Sequence, residues 1–156
     1  MEWVKELEIL LQVIIASILG GIIGYEREKT DKPAGIKTNM IVGGSVALLV
    51  SLGETITLHF HELDISEDIQ ADPTRIIQAI IVGVSFIGAG TVMQVQKVYK
   101  VKYLTTAASI LYSTGVGMSV ALEQYILAVG LTAFILIIYY PIKWIEDKFI
   151  KKPPED

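Results

Sequence analysis

The chain has 156 residues, room for one domain, of which 52% are hydrophobic, with a net charge of −4. Its mean hydropathy of +0.53 is high for a water-soluble fold of this size. The acidic balance argues against a nucleic-acid partner, and the lack of cysteine excludes a disulfide framework, a thiolate metal site and a thiol nucleophile.

The charged residues collect between the apolar stretches and at the C-terminus, as hydrocarbon requires. A bilayer core of about 30 Å takes about 20 helical residues. The apolar runs therefore predict an all-α, polytopic membrane helix bundle of about five transmembrane helices. The first runs from Leu7 to Gly24 and can extend back over Trp3 and Val4. It ends in charged residues instead of a small-residue cleavage site, which makes it a retained helix. The second starts near Met40, stays apolar to Gly53 and continues through Glu54, Thr55 and Thr57 toward Phe60. The third covers Ile76 to Met93, the fourth Leu104 to Leu122, and the fifth Tyr125 to Tyr140, where Pro141 and Trp144 mark an interface.

Lysine and arginine near span ends set the orientation, because loops that carry them resist translocation. Arg27, Lys29, Lys32 and Lys37 follow the first span, Lys97, Lys100 and Lys102 the third, and Lys143, Lys148, Lys151 and Lys152 the fifth; Lys5 and Arg75 fall on the opposite side. Five spans with the N-terminus outside and the C-terminus cytoplasmic place eleven of the 13 basic residues inside. The domain organisation expected is a transmembrane domain over 1–142 and a short basic cytoplasmic tail over 143–156. The acidic loop from His61 to Pro73 then faces outward.

Small residues recur four apart in the first, second and fourth spans, as Ala16, Gly20 and Gly24, as Gly43, Ala47 and Ser51, and as Ser109, Ser113 and Gly117. Such stripes let helix backbones approach closely, inside one subunit or between subunits.

The segments at the span ends carry motifs. Gly20-Gly21-Ile22-Ile23-Gly24-Tyr25-Glu26-Arg27-Glu28 is followed by Lys32-Pro33-Ala34-Gly35-Ile36-Lys37-Thr38. Further on stand Asp72-Pro73-Thr74-Arg75, Gly83-Val84-Ser85-Phe86-Ile87-Gly88-Ala89-Gly90, Leu104-Thr105-Thr106-Ala107-Ala108-Ser109 and Gly115-Val116-Gly117-Met118. In this order they resemble the signatures of the bacterial MgtC/SapB (YhiD-like) family, in a short form without the C-terminal soluble domain of longer members. Two positions depart from the pattern: Lys37 stands where the family usually has Arg, and Tyr103 where a Gly commonly precedes the L-T-T-A-A-S block.

On the expected topology Glu26, Arg27, Lys32, Lys37, Thr38, Thr105 and Thr106 meet at the cytoplasmic face, where they are candidates for partner or ligand contact. The alternative is that Glu26 and Arg27 pair with each other or with lipid phosphates, around a turn at Pro33-Ala34-Gly35. Gly20, Gly24, Gly83, Gly88 and Gly90 read as helix-packing positions; the last three lack the lysine and preceding strand of a phosphate-binding loop. Asp72 suits an N-cap with Pro73 at the first helical position, and Glu54, Asp72 and Arg75 are candidates for an outer ion pair, Glu54 with Arg75 first.

No metal site is specified: the outer acidic residues lack EF-hand spacing, and His59, His61 and Glu62 do not define a closed tetrahedral set. No cofactor is expected, and the absence of H-E-x-x-H and G-x-S-x-G leaves an enzyme without support. The resemblance implies a non-catalytic accessory protein of the bacterial inner membrane, linked to adaptation to low Mg²⁺ and to survival within host cells, acting on another membrane assembly. The alternative is a small transporter or channel for Mg²⁺ or another cation, working as a homo-oligomer, a dimer before larger rings.

Overall fold

The computed structural model describes residues 2–62, 72–93 and 103–145, and these form α1 (Glu2–Lys29), α2 (Ile36–Glu62), α3 (Pro73–Met93), α4 (Leu104–Ala121) and α5 (Tyr125–Ile145). Three of them are long and apolar enough to cross a membrane, over Trp3–Lys29, Ile36–Phe60 and Thr74–Val92, and Tyr125–Tyr139 is a shorter apolar segment. The expected acidic loop, the lysines at 97, 100 and 102, and the tail beyond 145 lie outside the described residues.

The fourth helix is the centre of the bundle, packed against each of the other four. That position explains its composition. Thr106, Ser109, Ser113, Thr114 and Ser119 would be poor lipid-facing residues, but on α4 they are buried against neighbouring helices. Most of these hydroxyls donate to a carbonyl of their own helix, as Ser109 Oγ to Thr106 O (2.8 Å) and Thr114 Oγ1 to Ile110 O (3.1 Å) do, which satisfies them without a partner.

Close approach is set by glycine. A Cβ on Gly43 would lie 2.8 Å from Ala16 O, one on Gly117 2.5 Å from Gly43 O, and one on Gly24 2.6 Å from Gly35 O, while one on Gly20 would overlap Asn39 O. The stripes on α1, α2 and α4 therefore converge on a single backbone-to-backbone seam within the subunit. Gly88 joins α3 to α4 at Ala107: a Cβ on Gly88 would lie 3.3 Å from Ala107 Cβ. Gly83 and Gly90 differ from the expectation: a Cβ on either would meet nothing within 4 Å among the described residues, because α3 turns this face, with Phe86 75% exposed, away from the bundle.

The helix ends follow capping rules with unusual residues. The α1 terminus closes with Lys32 N donating to Arg27 O at 3.0 Å and Asp31 in the left-handed region (φ 51°), a turn that usually takes Gly. Glu28 Oε2 then accepts from Ile36 N (2.9 Å) and caps α2 across the turn. Asp72 caps α3, accepting from Thr74 N (2.9 Å) and Thr74 Oγ1 (2.6 Å). Tyr103, preceding α4, sits at φ 67°, ψ 18°. A left-handed residue there explains why glycine suits this position.

A buried charged chamber as the candidate functional site

Arg27 continues the buried stripe of α1, three residues beyond Gly24 and seven beyond Gly20, so the helix turns it inward. Its side chain is 0% exposed and Glu26 beside it is 5% exposed. The α4 N-terminus supplies Thr106, whose Oγ1 accepts from Arg27 Nη2. The far end of α5 supplies Tyr139, whose ring centroid lies 5.9 Å from the guanidinium carbon, within cation–π range. Three helices thus enclose a buried charged cluster at one end of the bundle, called the chamber below for the hydrogen-bonding capacity it leaves open.

The chamber is not electrically closed. Arg27 Nε and Nη1 have no acceptor and Glu26 Oε2 has no donor among the described residues. No ion pair joins Glu26 to Arg27, since consecutive residues on a helix point about 100° apart. Burial of a charge without full compensation costs several kcal/mol as an order of magnitude, and an apolar residue of similar volume would avoid that cost. The neighbouring polar core shows the contrast. Asn39, also 0% exposed, donates through Nδ2 to Ala34 O (2.6 Å) and Gly35 O (3.1 Å) and accepts at Oδ1 from Ser113 Oγ (2.8 Å). It pins the α1–α2 turn to α4 and leaves nothing open.

Of the other residues expected at the cytoplasmic face, Lys32, Lys37 and Thr105 are exposed and Thr38 is half-buried, so the structure brings only Glu26, Arg27 and Thr106 together in the chamber. Arg27 does not extend toward lipid phosphates. The sequence motifs do not mark Asn39, Ser113 or Tyr139 as site residues. Each lies in phase with a readable stripe: Asn39 four before Gly43, Ser113 inside the α4 stripe, and Tyr139 four after the buried Ile135 of α5.

At the opposite end, Arg75 pairs with Asp72 at 3.8 Å, and no ion pair joins it to Glu54 among the described residues. Thr74's side-chain hydroxyl, then its backbone N–H, hold the Asp72 carboxyl below its ordinary value of 3.8, with a smaller contribution from Arg75. Glu54 instead lines a cavity of about 450 Å³ between α2, α3 and α4, with Val50, Thr57, Ile76, Leu122 and Glu123. No group of three or more His, Asp or Glu with metal-ligand spacing occurs among the described residues.

Fold and site together define a multi-pass α-helical membrane protein with a charged chamber buried at one end. The chain belongs to the MgtC family, whose profile matches residues 13–148. It is 33% identical to protein SapB of Bacillus subtilis over 95% of this chain and 62% of that protein. It is 32% identical to protein MgtC of Salmonella typhimurium over 81% of this chain and 49% of MgtC. Identity to YhiD of Escherichia coli K12, whose name proposes it as a magnesium transporter, is 31% over 78% of this chain and 54% of YhiD. The chain thus spans about half to three-fifths of these relatives' lengths. No solved structure matches.

Proposed function

We propose that the chain is a non-catalytic accessory protein of the bacterial inner membrane, serving adaptation to low Mg²⁺ by acting on another membrane assembly through the chamber at its cytoplasmic end. The observation that carries this reading is Arg27: a fully buried guanidinium whose Nε and Nη1 donors have no acceptor among the described residues is costly to keep for packing alone. Membership of the MgtC family supports the membrane setting, and the name of the E. coli relative supports the ion.

The second reading is a cation transporter, favoured by the cavity that Glu54 and Glu123 line at the other end. Against it, the centre of the subunit is sealed where the backbones of α1, α2 and α4 touch at Gly20, Gly43 and Gly117. Proteoliposomes containing only this protein and a trapped Mg²⁺-sensitive dye separate the two. The accessory reading expects entry no faster than in empty liposomes; protein-dependent, saturable entry would establish transport instead.

A further inference from the structure

The chamber leaves complementary hydrogen-bonding capacity open. Arg27 offers N–H donors at Nε and Nη1, and Glu26 Oε2 offers an acceptor, all without partners among the described residues. Ser109 donates to a carbonyl of its own helix, and Thr106 Oγ1 already accepts from Arg27 Nη2. A group satisfying both open sides needs anionic oxygens for the guanidinium and at least one hydrogen for the carboxylate.

We propose that the chamber binds an oxyanion that retains a proton near neutral pH: inorganic phosphate or the headgroup of a phosphomonoester lipid. Arg27 donates to its oxygens, Tyr139 lies beside the guanidinium, and Glu26 accepts the P–OH hydrogen. With a second pKa of about 6, a phosphomonoester keeps that hydrogen in part at neutral pH. Sulfate and phosphodiesters offer acceptors only, and would set their charge against Glu26 with no hydrogen bond in return. Because Arg27 is 0% exposed, the ligand must be compact and enter as side chains at this end part. This assignment rests on the chamber being the contact site proposed above.

The test uses the full chain in phosphatidylcholine nanodiscs at pH 7. Its Tm is titrated with inorganic phosphate or sulfate at matched ionic strength, and measured separately in nanodiscs doped with phosphatidic acid or phosphatidylglycerol. Phosphate or phosphatidic acid should raise the Tm, with dissolved phosphate acting in proportion to the logarithm of its concentration. Sulfate and phosphatidylglycerol should bind at least about tenfold more weakly, the worth of one charge-assisted hydrogen bond. A response to phosphate alone identifies a free ligand, and a response to phosphatidic acid alone a lipid. Glu26→Gln, nearly isosteric, replaces the repelling oxygen with an amide donor and should let sulfate bind as well as phosphate. Equal response to phosphate and sulfate in the wild type, no response to either phosphate source, or unchanged discrimination in Glu26→Gln would each overturn the proposal. Arg27→Gln removes the cation and should abolish the response to phosphate and phosphatidic acid; Glu26→Gln keeps the test decisive if Arg27→Gln does not fold. If the ligand test fails while these variants still lose function in growing cells, only the ligand class is wrong. If the variants support growth, the contact-site reading falls.

Discussion

At Arg27 stability and the proposed contact role make opposite demands, and the conflict can be measured. Thr106→Val removes the acceptor of Nη2 and leaves the guanidinium with one more unmet donor, a cost of about 1–3 kcal/mol. Arg27→Met removes the charge while keeping most of the volume, so stability should be unchanged or higher. The double variant should be no less stable than Arg27→Met alone. Denaturant unfolding in micelles checks this cycle; additive losses would show that the bond carries no coupling. Tyr103 is strained for a different reason: its left-handed backbone (φ 67°) favours glycine, so Tyr103→Gly should gain about 1 kcal/mol in the same assay. The Asp72 cap titrates. Its carboxyl is held below 3.8 in the folded chain, so its contribution is present above that value and lost as pH falls through the lower folded value. Asp72→Asn should therefore flatten the acid limb of a Tm-against-pH curve, and an unaltered limb would contradict the cap's role.

Among the helices, the seam of close backbone contacts makes predictions that differ from glycine to glycine. Gly43→Ala and Gly117→Ala push a methyl against backbone oxygens 2.8 and 2.5 Å away and should destabilise the fold by about 1–3 kcal/mol. Gly83→Ala and Gly90→Ala meet no atom within 4 Å among the described residues, so helix propensity should make them neutral or up to about 1 kcal/mol stabilising. Thermal unfolding of the four variants separates the two classes. Much of this level was legible in the sequence. Hydropathy located all five helices, and four-residue spacing found the stripes on α1, α2 and α4. Spacing could not show which side of α3 faces its neighbours, because that helix is apolar all round and its glycines sit on both sides. Nor did charge at a span end reveal that Arg27 turns inward; that follows only when the stripe is continued past Gly24 to the next inward position. The ion pair expected between Glu54 and Arg75 depended on rotation about helix axes, which proximity to one membrane face does not determine.

Among the described residues, the Glu26–Arg27 chamber lies at one end of the bundle and the Glu54–Glu123 cavity at the other, with the close backbone contacts of α1, α2 and α4 between them. This arrangement underlies the proposed accessory role, in which the protein acts at one face and does not pass an ion through its own bundle. The most direct test of the chamber's role is growth in limiting Mg²⁺ of a deletion strain complemented with wild type, Glu26→Gln or Arg27→Met, with membrane levels of each protein measured alongside. The expected result is rescue by wild type alone, at equal levels of all three proteins, and normal growth of every strain in high Mg²⁺. Rescue by both variants would contradict the account, reducing the chamber to a packing feature and moving the function elsewhere in the molecule.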